Sequence, residues 1–156
     1  MGPRTAAAVV NGRIERWFPD LRRTGYRVAS LASAEYNCVA WAAENDEAWW
    51  WPDPWFQAYW PVDVPRQCSI EAFGQMFELM GYEECEVWSV ESGFEKIAIY
   101  VDRLGRPTHA ARQLPDGAWT SKLGPEEDIQ HATLEGLTGA TYGTIGLIMK
   151  RRVSQE

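Results

Sequence analysis

The side chains suited to nucleophilic chemistry are three cysteines, Cys38, Cys68 and Cys85, and two histidines, His109 and His131. A loop of small and polar residues leads into Cys38, and helix-forming residues follow it at once. A cysteine in the first turn of a helix lies near the positive end of the helix dipole, which favours the nucleophilic thiolate. The sequence therefore predicts Cys38 as the nucleophile. Cys68 and Cys85 are both predicted to be structural, although Cys68, just before a predicted helix N-cap, keeps a claim as the alternative nucleophile.

A cysteine nucleophile needs an imidazole within hydrogen-bonding reach and a polar group that orients the imidazole. His109 lies in a strand-like run from 107 to 114, and a turn at 115–117 would return the chain as a second strand from 118 to 123. That hairpin brings residues 121–123 opposite His109 and its neighbours, and Ser121 is the polar residue of the return strand best placed to orient the ring. We therefore predict His109 as the base and Ser121 as its orienting residue, with Asp128, on a predicted short helix, as the alternative; His131 follows Asp128 there.

The helices and strands that must position these residues are predicted from the spacing of hydrophobic residues. This spacing is helical in the first part of the chain and alternating in the second part. Residues 1–12 are predicted to be a loose tail, and residues 20–33 an irregular loop over the core. Helices are predicted at 36–45, from an N-cap at Ser69 to Gly81, and from Gly124. Strands are predicted at 85–90, 97–101, 107–114, 118–123 and 144–149. Helices followed by strands predict an α+β fold, with N-terminal helices on a mainly antiparallel sheet of about five strands.

The segment that we call the aromatic loop, residues 49–61, holds five of the nine tryptophans. Its three prolines exclude a regular helix or a central strand. The rings could cap an open edge of the core, or they could form a wall for a sugar, a peptide, an acyl chain or a protein partner. The predicted substrate-binding residues are Tyr36, Asn37, Trp50, Trp51 and Trp55.

Composition narrows the class of protein. With 156 residues, 46% hydrophobic and 24% charged, the chain is predicted to form a single globular domain, 1–156. A net charge of −7 argues against nucleic acid as a partner. We expect no membrane segment, no metal site, no phosphate-binding loop and no cofactor. An odd number of cysteines without disulfide or zinc spacing favours the cytoplasm, although export without a signal sequence would leave the same pattern.

The order of elements, with Tyr36-Asn37-Cys38 opening a helix and Pro107-Thr108-His109-Ala110 in a later strand, resembles the papain-like superfamily, closest to the NlpC-type and CHAP-type amidases. The resemblance covers residues 34–149. It implies a papain-like fold and a cysteine peptidase or amidase, in which a polar residue on the strand after the histidine completes the site. The chain departs from that family in having no glutamine shortly before Cys38, and Asn-Cys-Val replaces the usual Asp-Cys-Ser or Gln-Cys.

The leading hypothesis is a thiol hydrolase or transferase that acts on a peptide, amide or acyl substrate through Cys38 and His109. A different class is a non-catalytic binding module that uses the same fold and holds a protein partner on the aromatic loop. A bacterial toxin or effector of papain-like fold is a third possibility, which differs from the first in its partner. A buried Cys38 together with exposed tryptophans would favour the binding module.

Overall fold

The computed structural model describes residues 5–153, and it shows an α+β fold built on an antiparallel sheet of seven strands. The helices are α1 (Ala6–Trp17), α2 (Leu21–Thr24), α3 (Cys38–Ala42) and α4 (Ile70–Glu78), with a 3-10 turn at Glu135–Leu137. The strands are β1 (Tyr26–Ser30), β2 (Glu83–Cys85), β3 (Phe94–Val101), β4 (Pro107–Gln113), β5 (Trp119–Lys122), β6 (Asp128–His131) and β7 (Thr144–Arg152). Their order across the sheet is β1-β6-β5-β4-β3-β7-β2. The predicted class and the antiparallel sheet are confirmed.

Strand β3 is central, and it pairs with β4 on one side and β7 on the other. Its apolar, β-branched run from Ile97 to Val101 suits a strand buried on both faces. The hairpin between β4 and β5 is also as predicted, because the Leu114 amide donates to the Ala118 carbonyl at 2.7 Å. Gly117 has a φ of 93°, the left-handed region that this turn requires and that glycine adopts without strain.

The sheet has helices on both faces, and the two sides bury separate cores. Ile97 and Ile99 contribute to the core beneath α3 and α4, on a side that we call the α3 face. Ala98 and Tyr100 contribute to the core beneath α1 and α2, which we call the α1 face. Side chains alternate between the faces because successive residues of a strand point to opposite sides.

Two helices near the site begin at side-chain caps. Ser69 accepts a hydrogen bond from the Ala72 amide at 3.2 Å and so begins α4, as predicted. Asn37 caps α3 by accepting from the Ala40 amide at 3.3 Å. The helix predicted at 36–45 is therefore shorter than expected, ending at Ala42.

Two segments predicted to be irregular are regular. The described part of the predicted tail, from Thr5 onward, belongs to α1, which Thr5 caps and Ile14 anchors in the core; residues 1–4 lie outside the described residues. The predicted loop at 20–33 contains α2 and β1, which pairs with β6. Both are held by packing against distant parts of the chain, which local periodicity does not reveal.

Two further elements differ from the prediction. The helix predicted from Gly124 is replaced by β6, since Ile129 and His131 alternate toward the α1 face while the backbone pairs with β1 and β5. The strand predicted at 85–90 is β2, which lies earlier, at Glu83–Cys85. The sheet thus has seven strands rather than about five. No helix within residues 5–153 is both long and apolar enough to cross a membrane.

Candidate functional site

Cys38 is the first residue of α3, as predicted, but its side chain is sealed. It is only 6% exposed and lies in the core with Val39, Ile97 and Ala110. Burial raises the pKa of the Cys38 thiol to about 11, although the backbone N–H of Ala110 and the charge of Lys122 both act to lower it. Because α3 has five residues, its dipole is small, and the thiol stays protonated at neutral pH.

His109 lies on the other side of the sheet. Its Cα is opposite Tyr100 on β3, and its ring stacks on Tyr142 with centroids 4.1 Å apart and planes 9° apart. Neither ring nitrogen has a hydrogen-bond partner among residues 5–153. Burial holds the pKa of His109 well below its usual range, so the ring is neutral.

The structure therefore does not bring Cys38 and His109 together as the sequence predicted. Ala110, the neighbour of His109 on β4, contacts the core of the α3 face that holds Cys38. The alternation of a strand sends the His109 ring to the α1 face instead. The ring and the sulfur form no hydrogen bond, so His109 is not placed to take a proton from Cys38.

Ser121 does orient a histidine, but that histidine is His131. Ser121 Oγ and His131 Nε2 are 2.8 Å apart, and His131 Nδ1 lies 2.8 Å from the Thr133 carbonyl oxygen, to which it donates. Both side chains are fully buried on the α1 face, and burial lowers the pKa of His131 to about 4. The pair links β5 to β6 inside a closed core, which leaves it no path to a substrate.

Asp128, the alternative orienting residue, is on the α3 face and interacts with Tyr36 rather than with a histidine. The Tyr36 hydroxyl lies 3.5 Å from Asp128 Oδ2. The ammonium group of Lys122 lies 4.7 Å from the centroid of the Tyr36 ring. Two of the predicted residues, Tyr36 and Asp128, are thus brought together, although not around a Cys38–His109 pair.

Asn37 was predicted to bind substrate, but its side chain forms hydrogen bonds with the backbone instead. Besides capping α3, its Oδ1 accepts from the Trp50 amide at 2.9 Å, and its Nδ2 donates to the Trp50 carbonyl at 2.8 Å. Asn37 therefore ties the start of α3 to the start of the aromatic loop. Its side chain is only 2% exposed, so it cannot stabilise an oxyanion in this arrangement.

The aromatic loop combines both predicted roles, because its ends are packed and its tip is exposed. Trp51 packs edge-on against Phe73 of α4 with ring centroids 5.3 Å apart, and Trp50 lies against Tyr59 at 4.6 Å. Trp55 and Phe56 are 76% and 77% exposed. The tip of the loop comprises the exposed side chains of Trp55, Phe56 and Tyr59.

Arg66 fastens this loop, and the sequence analysis missed it. Its guanidinium donates to the Asp53 carbonyl at 2.8 Å, to Asp53 Oδ1 at 3.0 Å and to the Ala58 carbonyl at 3.0 Å. It also lies 4.4 Å from the centroid of the Phe56 ring. Asp53 in turn accepts from the amides of Gln57 and Ala58. A lone arginine shortly after a proline-rich loop that contains a single carboxylate, Asp53, was the signal for such a clasp.

Lys122 was also missed, and its sequence context offers no signal. Its side chain is fully buried, and it donates to the carbonyls of Ser33 at 2.6 Å and Gly124 at 2.5 Å. Lys122 thereby holds the segment that leads into α3 against the end of β5.

Within the part of the chain that the structure describes, no three His, Cys, Asp or Glu side chains are grouped as metal ligands.

A family model described as "Domain of unknown function (DUF7689)" matches residues 27–150, and the chain belongs to this family. The matched segment begins after α1 and α2 and includes α3, α4 and the whole aromatic loop. No curated protein and no solved structure matched the chain.

Proposed function

We propose that this protein is a non-catalytic binding module that holds a protein or peptide partner on the tip of the aromatic loop. The observation that carries the proposal is the exposure of Trp55 and Phe56 on a loop fastened by Arg66 and Asp53. The one thiol that opens a helix, Cys38, is closed off from solvent, which supports a binding role over a catalytic one.

A tip of this kind suits recognition for energetic reasons. Exposed aromatic side chains offer a large apolar area, and tryptophan and tyrosine dominate the energetics of many interfaces. Because the Arg66 clasp fixes the loop before the partner arrives, binding loses less conformational entropy than it would with a free loop. Trp55 is the central anchor in this proposal.

The surroundings of the tip favour a basic, apolar partner. Glu47 and Asp63 are exposed near the two ends of the loop, and neither has an ion pair among the described residues. The whole chain carries a net charge of −7. Such a field attracts cationic ligands and speeds their encounter. We therefore propose a partner segment in which aromatic or aliphatic residues are flanked by lysine or arginine.

A second candidate is the thiol hydrolase or transferase of papain-like fold, including a toxin or effector of that fold. What favours it is that Cys38 opens a helix packed on an antiparallel sheet, with the Lys122 charge acting on the thiol. It requires the α3 face to open and a base other than His109 in its present orientation. The reactivity of Cys38 distinguishes the two candidates.

The binding proposal is tested by selecting from a random peptide library displayed on phage against the immobilised full chain. We expect enrichment of peptides that combine aromatic and basic residues. Purified peptides should bind the Trp55→Ala variant about tenfold more weakly or worse, because an anchor ring is lost.

The matched control is Trp88→Ala, since Trp88 is also exposed, at 61%, but lies outside the aromatic loop. It should leave peptide affinity unchanged. If no peptide sequence is enriched, or if both variants weaken binding equally, the tip is not the recognition surface.

A further inference from the structure

The α3 face of the sheet carries a row of polar side chains where α3 ends. Arg112 on β4 is opposite Thr120 on β5, and Thr120 is opposite Gln130 on β6. Asp128 lies two residues before Gln130, on the same face. Toward β3 this face is apolar, with Ile97, Ile99 and Ala110, so the polar row is a distinct region.

This row is the floor of a cleft of about 370 Å³. The rings of Tyr36 and Trp41, whose centroids are 5.5 Å apart, and the carboxylate of Asp46 line the cleft as well. Trp41 is held in place because its indole N–H donates to Thr120 Oγ1 at 2.9 Å. The cleft is large enough for one side chain or a small molecule.

One buried group in the cleft lacks a partner. Asp128 is only 2% exposed, yet its Oδ1 has no hydrogen bond among the described residues. Leaving a buried carboxylate oxygen unpaired is costly, and a ligand that donates N–H groups would remove that cost. The unpaired Asp128 oxygen therefore points to a hydrogen-bond donor as the ligand.

The charge of the cleft favours a cation. Asp46, Asp128 and Arg112 line it, and neither Asp46 nor Asp128 has an ion pair among the described residues. Lys122 is opposite Asp128 in the sheet, but its ammonium donates to the carbonyls of Ser33 and Gly124. The guanidinium of Arg112 lies 3.7 Å from a carboxylate oxygen of Glu44. The electron-rich faces of Tyr36 and Trp41 also attract cations, and each already has one near it, Lys122 at 4.7 Å from the Tyr36 centroid and Arg112 at 5.8 Å from the Trp41 centroid.

We propose that this cleft binds a guanidinium group on an aliphatic chain. A planar guanidinium can donate two N–H groups to one carboxylate and stack on an aromatic ring at the same time, which a lysine-like ammonium cannot do. Asp128 accepts the two hydrogen bonds, the adjacent rings of Tyr36 and Trp41 offer a surface on which the cation stacks, and Asp46 adds attraction at the rim. The group could belong to a free small molecule or to an arginine side chain of a peptide.

The test titrates the full chain with butylguanidinium and with butylurea, its neutral isostere, followed by NMR. We expect butylguanidinium to bind about tenfold more tightly than butylurea, because charge-assisted hydrogen bonds are about twice as strong as neutral ones. Resonances of Trp41 and Tyr36 should shift. Equal binding of the two compounds, or no saturable binding of either, would overturn the proposal.

Variants locate the site. Asp128→Asn should weaken butylguanidinium binding about tenfold, and Asp46→Asn, at an exposed position that tolerates change, should weaken it less. The control Asp63→Asn, an exposed carboxylate outside the cleft, should have no effect. If Asp128→Asn fails to fold, an unchanged affinity in both Asp46→Asn and Tyr36→Leu overturns the assignment, since leucine removes the ring.

A capped Gly-Arg-Gly peptide, compared with its citrulline counterpart, separates the two sources of the ligand. If the arginine peptide binds more tightly than butylguanidinium, the cleft recognises a peptide side chain. If it binds more weakly, the cleft takes a free small molecule.

Discussion

The core around Cys38 and the tip of the aromatic loop are joined through Asn37, yet they differ in access to solvent. Cys38 is 6% exposed, whereas Trp55 is 76% exposed. In the core, burial keeps Cys38 away from water and raises the pKa of its thiol. In the loop, the Arg66 clasp holds large rings out into water.

The difference shows that a helix-start position does not by itself make a thiol reactive. The dipole of a helix and a nearby cation stabilise a thiolate by a modest amount, and burial in apolar surroundings costs more. Lys122 and the Ala110 amide oppose burial at Cys38, but burial prevails. The reactivity of a thiol therefore depends on its exposure to solvent. In this molecule the side chains at the tip of the aromatic loop are exposed, and the Cys38 thiol is not.

The largest effect is expected where the two regions meet. Asn37→Ala removes a buried helix cap and two partly buried hydrogen bonds to Trp50. We expect the free energy of unfolding to fall by about 2–4 kcal/mol in urea denaturation.

Asn45→Ala is the comparison for Asn37→Ala, since the Asn45 side chain accepts from the Glu47 and Ala48 amides without joining the two regions. It should cost about 1 kcal/mol. A smaller loss in Asn37→Ala than in Asn45→Ala would show that the junction is not important for stability.

The two histidines test whether the interior is closed. Because the pKa of His131 is about 4 in the folded protein and about 6.5 when unfolded, folding favours its neutral form. Its contribution is complete above pH 6.5 and is lost as the pH falls toward 4, by up to about 3 kcal/mol. Burial lowers the pKa of His109 in the same direction. Urea denaturation at a series of pH values between 7 and 4 measures this loss.

His109→Phe isolates the second histidine in that series. Phenylalanine keeps the packing against Tyr100 and Tyr142 and removes two unpartnered nitrogens. We expect a smaller loss of stability toward acid than in the parent protein, and at pH 7 a change within about 1 kcal/mol. An unchanged acid sensitivity would mean that His109 is accessible to water.

The contacts of Arg66 should stabilise the aromatic loop without affecting the core around Cys38. Arg66→Met removes the hydrogen bonds to Asp53 and Ala58, with an expected cost of about 1–2 kcal/mol. Amides of residues 51–60 should exchange hydrogen faster while those of α3 do not. The exposed Arg22, which has no ion pair among the described residues, provides the control Arg22→Met. Equal acceleration in α3 would mean that the loop and the core open together.

The smallest effect on stability is expected at the tip itself. Trp55→Ala should change the free energy of unfolding by less than about 0.5 kcal/mol, because the ring is exposed. Trp60→Ala, at a buried ring of the same loop, should cost about 3 kcal/mol or more. If Trp55→Ala were equally costly, the tip would be part of the core rather than a surface for binding.

Several elements could be predicted because they depend on local pattern. The N-cap at Ser69 predicted the start of α4, and the turn at 115–117 predicted the hairpin. The strands β1 and β6 pair with each other across about a hundred residues of chain, and no local signal reveals such a partner.

The sequence did not indicate on which face of the sheet the His109 side chain lies, and the predicted Cys38–His109 pair depended on that face. The strand was predicted correctly, but both sets of alternate residues in β4 contain alanine and polar side chains, so β4 alone does not indicate which face holds the cysteine. The register with β3 decides it, because Tyr100 lies opposite His109. That register depends on pairing, which composition and spacing do not determine.

The most direct test of the contrast between the closed core and the exposed loop is the alkylation rate of each cysteine in the native protein between pH 6 and pH 9. Iodoacetamide labelling is followed by peptide mass spectrometry, with the urea-denatured chain as the reference. Cys68 is exposed and serves as the internal comparison. We predict that Cys38 reacts at least about tenfold more slowly than Cys68 at every pH, because it is buried and its thiolate is scarce. Faster labelling of Cys38 than of Cys68 at pH 6 would contradict the account and favour the thiol hydrolase.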